Sequence, residues 1–141
     1  DRTARLWDAA TGAELRRFEG HEHGVKSVVL SADGARVLTG SADPFRSEDR
    51  TARLWDAATG AELRRFERHE DDVTSVALSA DGARVLTGSS DGTVRLWDAA
   101  EGRELARIRL PEHWGALCVA SDWRSFIAAR GKRWLAVDIR V

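Results

Sequence analysis

A histidine, a threonine, an aspartate and a tryptophan recur in this chain, and the first three are residue types that build nucleophilic triads. In such a triad an imidazole takes the proton of a hydroxyl nucleophile while a carboxylate holds the ring in its working tautomer. The chemistry also needs an accessible nucleophile, oxyanion donors and a substrate cleft. The string Gly88-Ser89-Ser90-Asp91-Gly92 has the G-x-S-x-G spelling but falls in a tight turn between two strand-like runs rather than opening a helix, and Thr-Gly-Ser stands in two separate segments rather than marking one special site. A metal site fares no better. His21 and His23 flank Glu22, yet no cysteine pair or second histidine cluster completes a coordination sphere. Asp33-Gly34 and Asp81-Gly82 lack the carboxylate series of a calcium loop and read as turns. Cys118, between Leu117 and Val119, reads as a small core residue rather than a nucleophile. We expect no catalytic residue, no metal and no cofactor.

The elements that must position these residues are set by internal repetition. Residues 1–22 recur at 49–70 with one change, Gly20 to Arg68, and residues 27–41 recur at 75–89 with one change, Val29 to Ala77. Trp7 to Trp55 spans 48 positions and Trp55 to Trp97 spans 42, so the unit is 42 residues and the excess is a six-residue insertion, DPFRSE, at 43–48. Each unit holds four short apolar or alternating runs separated by turn residues, the pattern of strands. In the second unit these are 73–78, 84–88, 93–97 and 104–108, with Ser79-Ala80-Asp81-Gly82 as a turn. A Gly-bearing turn every ten or so residues makes a helix a poor competitor. The unit is an antiparallel four-stranded sheet.

On these features the chain resembles the WD-repeat β-propeller family, whose unit of ~40–45 residues carries GH near its start and WD near its end. Gly20-His21 opens a unit that closes at Trp55-Asp56, and Arg68-His69 opens one that closes at Trp97-Asp98. The expected fold class is all-β, a partial propeller of about three blades, each blade four antiparallel strands. A half blade covers 1–18, a blade with the insertion 19–67, a second blade 68–109, and a degenerate terminal blade 110–141. In that last segment Val137-Asp138 stands where Trp97-Asp98 stood, Asp122 falls near the Asp81 turn, and His113 is offset by about three positions. The resemblance also implies a role for the recurring polar set: a buried hydrogen-bond chain of His21, Thr39, Asp49 and Trp55, repeated as His69, Thr87, Asp91 and Trp97. Asp43 competes with Asp49, and Asp49 is preferred because Asp49-Arg50-Thr51 matches Asp91-Gly92-Thr93 at the 42-residue offset. The chemistry is self-consistent: the indole N–H donates to the Thr hydroxyl, which donates to one imidazole nitrogen, while the other nitrogen donates to carboxylate.

Composition narrows the partner class. With 22 Lys+Arg against 23 Asp+Glu the net charge is -1, which argues against a polybasic nucleic-acid binder. No apolar run approaches the roughly 18 residues of a bilayer helix. A single cysteine marks no disulfide scaffold, and we expect a cytoplasmic protein. Met, Tyr, Asn and Gln are absent and Arg far outnumbers Lys, a bias read as that of a GC-rich bacterial genome. The chain is expected to be a fragment of a larger protein.

The same family presents its loops on one face that binds proteins, here 19–26, 41–49, 68–74 and 89–91. Phe45 and Arg46, with Glu48, put an aromatic and a guanidinium in the insertion, the usual composition of an interaction anchor. Glu70, Asp71 and Asp72 add an acidic patch suited to a basic peptide. Arg16-Arg17 and Arg64-Arg65, partly continued by Arg103, Arg107 and Arg109, suggest an anion-binding rim, but neighbouring glutamates favour an ordinary solvated edge. Trp114, Trp123 and Trp134 fit irregular packing in the last unit. The expected function is a non-enzymatic platform for a protein or peptide partner within a larger regulatory protein. The alternative is purely structural blades that complete a ring or self-assemble, and a propeller enzyme is disfavoured.

Overall fold

The computed structural model describes residues 2–42, 49–111, 116–119, 123–130 and 132–138, with the side chains of Ala116, Cys118, Arg130 and Trp134 outside that description. The alternating runs become strands throughout, and no helix occurs among the described residues. β1 (Ala4–Trp7) and β2 (Glu14–Phe18) form a two-stranded sheet. β3 (Val25–Leu30), β4 (Arg36–Ser41), β5 (Ala52–Asp56) and β6 (Glu62–Phe66) form a four-stranded one. β7 (Val73–Leu78), β8 (Arg84–Ser89), β9 (Thr93–Asp98) and β10 (Glu104–Arg109) repeat it, and β11 (Ala116–Val119), β12 (Ser125–Arg130) and β13 (Arg133–Asp138) form a three-stranded sheet. Consecutive strands pair antiparallel within every sheet. The protein is all-β, a partial β-propeller of stacked blades.

Local chemistry closes each hairpin. In the β3–β4 turn Ser31 Oγ donates to Asp33 Oδ1 at 2.6 Å and accepts the Arg36 N–H at 2.9 Å, and Ser79, Asp81 and Arg84 repeat this at 2.6 and 2.9 Å. In the β5–β6 turn Asp56 Oδ1 accepts the Ala58 and Thr59 N–H groups at 2.9 and 2.8 Å. Such Asx and Ser turns satisfy backbone groups that have no ladder partner.

The sheets stack face to face in chain order, because strands buried on both faces supply apolar side chains to two layers at once. Ala4 and Phe18 of the first sheet meet Val37 and Trp55 of the second. Leu38, Leu54 and Phe66 of the second meet Val73, Val85 and Trp97 of the third. Leu86, Val94 and Leu96 of the third meet Phe126 and Ala128 of the last. Trp55 and Trp97 therefore pack back on the phenylalanine that ended the previous sheet, Phe18–Trp55 at 6.1 Å and Phe66–Trp97 at 5.6 Å between ring centroids.

Two glycines set the closeness of this stacking. A Cβ on Gly40 would lie 3.0 Å from Cγ1 of both Val73 and Val76, and one on Gly88 would lie 2.6 Å from Leu117 Cδ1. The serine hydroxyls beside them tie neighbouring sheets: Val76 N–H donates to Ser27 Oγ at 3.2 Å and Leu117 N–H to Ser75 Oγ at 3.1 Å. At the outer rim the Arg16 guanidinium donates to the Ala58 carbonyl and Arg64 to the Ala100 carbonyl, each reaching the next sheet. The arginine doublets thus divide. Arg16 and Arg64 staple sheets together, while Arg17 and Arg65 pair with Glu14 at 3.0 Å and Glu62 at 2.9 Å on the exposed edge, as Arg107 does with Glu104 at 2.9 Å.

In the last sheet the pairing Phe126↔Val137 takes the register of Val85↔Trp97, and Ala128↔Leu135 that of Thr87↔Arg95. A large residue on β13 is exchanged for a large one on β12, which keeps the layer filled. The hydrogen-bonding Thr and Trp are both replaced by apolar groups, and losing both partners together leaves no orphaned donor. Trp123 packs against this layer with φ of 58°. His113, Trp114 and Asp122 lie outside the described residues.

Candidate functional site

The polar set meets at one end of the second and third sheets. Alternation along the chain puts Asp49, Thr51, Arg53 and Trp55 on one side of β5 and its approach, and Asp91, Thr93, Arg95 and Trp97 on one side of β9. β4 and β8 contribute Thr39 and Thr87, and the loops before β3 and β7 contribute His21 and His69. Trp55 Nε1–H donates to Thr39 Oγ1 at 2.9 Å, Thr39 Oγ1 lies 2.6 Å from His21 Nε2, and His21 Nδ1 lies 2.9 Å from Asp49 Oδ2. The third sheet repeats this with Trp97 to Thr87 at 2.9 Å, Thr87 to His69 Nε2 at 2.7 Å and His69 Nδ1 to Asp91 at 2.8 Å. Because a carboxylate only accepts, Nδ1 carries the proton and Nε2 accepts from threonine.

Electrostatics keep these carboxyls ionised. Burial would raise the Asp49 carboxyl, but hydrogen bonds from His21 and Thr51 and from the Glu22 N–H outweigh it and hold the group well below the usual range. Asp91 is depressed in the same way, burial being outweighed by Thr93, His69 and the Glu70 N–H. Burial pushes the His69 imidazole down, and the Asp91 hydrogen bond opposes that only in part. The rings stay out of solvent, His21 being 5% and His69 6% exposed. A hydroxyl nucleophile here has no open approach: Thr39 and Thr87 are 0% exposed.

The arginine of each R-L-W-D segment, which sequence reasoning left without a role, extends the chain outward. Arg53 donates to Thr51 at 3.2 Å, to the Gly20 carbonyl at 2.7 Å, to Glu62 at 3.2 Å and to Asp49 at 3.3 Å. Arg95 bonds Thr93 at 3.2 Å and Glu104 at 3.3 Å, and lies 3.7 Å from Asp91. The available signal was the D-x-T-x-R spacing, which places three complementary groups on one strand face. Arg5 of the first sheet reaches Thr3 at 3.4 Å and Glu14 at 3.5 Å, and Trp7 beside it is 51% exposed.

One consequence of the insertion is visible. Ser89 Oγ donates to the Asp71 carbonyl at 3.0 Å and accepts the Asp91 N–H at 3.1 Å, whereas the equivalent Ser41 Oγ, buried, finds no partner among the described residues. Six extra residues separate Ser41 from Asp49, so the tight turn that satisfies Ser89 cannot form. Phe45, Arg46, Glu48 and the rival Asp43 lie outside the described residues.

Loop residues at this end border an open cleft of about 590 Å³, with Glu22, Arg50, Arg65, Glu67 and Arg68 around the buried Asp49 and His69. Glu70 and Asp71 are exposed at its margin in sequence and Asp72 is half-buried, with Asp71 Oδ1 accepting the Asp72 N–H at 2.8 Å. Both ring nitrogens of His21, the first member of the His21/His23 pair, are spent on Asp49 and Thr39, and no group of three ligating residues occurs among the described residues. No helix among them is long and apolar enough to cross a membrane.

A comparison with curated proteins gives no match. The family model for the WD domain, G-beta repeat, matches residues 12–56 and 60–98, more than half of the chain and the two segments that carry both complete networks. By its repeated sheets and that match, the chain belongs to the WD-domain, G-beta repeat family.

Proposed function

We propose that this chain is a non-enzymatic protein-interaction segment of a larger, bacterial, cytoplasmic regulatory protein, and that its His-Thr-Asp-Trp sets serve cohesion. Repeats of this family typically mediate protein–protein interaction. The observation that carries the proposal is the disposition of polar groups. The side chains with catalytic potential are buried and bonded to one another, while Glu22, Glu67, Arg68, Glu70 and Asp71 stand exposed on loops at the same end. Surface that is charged, exposed and supported by a rigid sheet stack is suited to docking. We assign partner contact to Glu70, Asp71 and Asp72, and to Phe45, Arg46 and Glu48 of the insertion.

A photo-crosslinking amino acid placed at Glu70, with one at Arg107 on the exposed outer strand as control, tests this. A discrete adduct from position 70 alone is expected, and no adduct or equal adducts from both positions refutes it. The Phe45→Ala/Arg46→Ala variant should weaken capture of that partner without lowering Tm, and unaltered capture rejects the insertion as anchor.

Self-assembly is the second reading, favoured by one observation: Trp7 is 51% exposed where Trp55 and Trp97 are 2% and 1%. Light scattering that finds only monomer at high concentration rejects it.

A further inference from the structure

Arg68, standing where the first copy has Gly20, is one of the few differences between nearly identical repeats, and Arg50, which is Arg2 in the first copy, lines the same cleft of about 590 Å³. Arg68 holds φ at 141°, matching the 145° of Gly20, so a side chain occupies a backbone geometry that favours glycine. Such strain is retained at sites where the side chain is used.

The charges around the cleft are not equally available. Arg53 is committed to Asp49 and Glu62, and Arg65 to Glu62 at 2.9 Å and Glu67 at 3.7 Å. The Arg50 and Arg68 guanidiniums make no side-chain hydrogen bond or ion pair among the described residues, and Arg68 acts on Glu104 through space. Arg50 and Arg68, neither in a direct side-chain hydrogen bond or ion pair among the described residues, line one cleft and offer bidentate donors to a compact dianion. Glu22 and Glu67, which also line the cleft, with Glu70 next to His69 in sequence, repel an extended polyanion and favour a cation beside the dianion.

We propose that this cleft receives a phosphate monoester carried on a peptide segment of the partner, with a basic neighbour meeting Glu22 or Glu70. The inference rests on the interaction-platform reading and names the chemistry of its partner.

Fluorescence anisotropy of the full chain with three labelled peptides tests it: Gly-Gly-Lys-phosphoserine-Gly-Gly and the same peptide with serine or glutamate in place of phosphoserine. The phosphopeptide should bind more tightly than either by about tenfold or more, and Arg50→Ala and Arg68→Gly should each weaken it by a similar factor. Arg68→Gly should at the same time raise Tm, because glycine relaxes the positive φ. Loss of binding in a more stable protein cannot be misfolding. Equal binding of all three peptides, or unchanged affinity in both variants, overturns the proposal. Glutamate matching phosphoserine overturns the phosphate assignment, and inorganic phosphate binding as tightly as the phosphopeptide overturns the peptide. A crosslinked partner whose capture ignores both variants defeats the proposal while leaving the platform reading intact. Phosphopeptide binding with no crosslinked partner defeats the platform and retains the anion site.

Discussion

Replacing Thr87 by valine removes one oxygen from the middle of a buried chain and changes little else. Thr87 is 0% exposed, accepts the Trp97 indole N–H at 2.9 Å and lies 2.7 Å from His69 Nε2. Valine keeps the β-branched shape, so no cavity opens, but the indole donor and the imidazole acceptor both lose their partner. Each orphaned buried polar group costs about 1–3 kcal/mol, which sets the expected loss at about 2–5 kcal/mol once some relaxation is allowed. Urea unfolding followed by the fluorescence of the six tryptophans measures it. Thr39→Val should cost a similar amount, since Trp55 and His21 stand in the same relation at 2.9 and 2.6 Å. Trp7→Phe is the internal control: Trp7 is 51% exposed, and its loss should cost under about 0.5 kcal/mol. A Thr87→Val loss no larger than the Trp7→Phe loss would refute the claim that the network holds the sheets in register. A cycle with Trp97→Phe should be non-additive, because both changes break the same bond.

Gly88→Ala places a Cβ 2.6 Å from Leu117 Cδ1 and should lower stability by about 1–3 kcal/mol, with Gly40→Ala milder at 3.0 Å, and an unchanged Tm for both would show that the sheets can part freely. Ser75→Ala removes the hydroxyl that accepts the Leu117 N–H at 3.1 Å and should cost about 1 kcal/mol, with hydrogen exchange at Leu117 as the local readout. Stability should fall with acid in two windows. Below about 6.5 the unfolded chain takes up a proton at His69 that the folded imidazole resists, and below 3.8 the unfolded carboxyls of Asp49 and Asp91 protonate while the folded ones stay ionised. A midpoint urea concentration that is flat or rising as pH falls from 7 to 3 contradicts this.

The repeat itself settled much of this protein before any coordinate. A 42-residue period, turn residues every ten or so positions and alternating apolar runs point to a four-stranded antiparallel unit, with a helix a poor competitor. Four strands assigned from pattern alone, such as 73–78, lie within or coincide with β7 to β10, because strand and turn identity is local chemistry. The residue sets His21, Thr39, Asp49, Trp55 and His69, Thr87, Asp91, Trp97 were nameable as what the resemblance to WD repeats implies, carried over position by position onto the repeated segments.

Tertiary structure decided what those residues touch. Arg16 and Arg17 are adjacent and so face opposite sides of one strand, yet only the stacking shows that Arg16 crosses to the Ala58 carbonyl of the next sheet while Arg17 pairs with Glu14 on its own. Arg53 and Arg95 are 4% and 2% exposed despite their charge, because the carboxylates that neutralise them arrive from a loop and an outer strand. Val137 fills a tryptophan position because Phe126, on the neighbouring strand, supplies the missing volume. Sequence order specifies which groups share a strand face; only the stacking of one sheet on the next brings distant groups within the few ångströms over which hydrogen bonds and packing act.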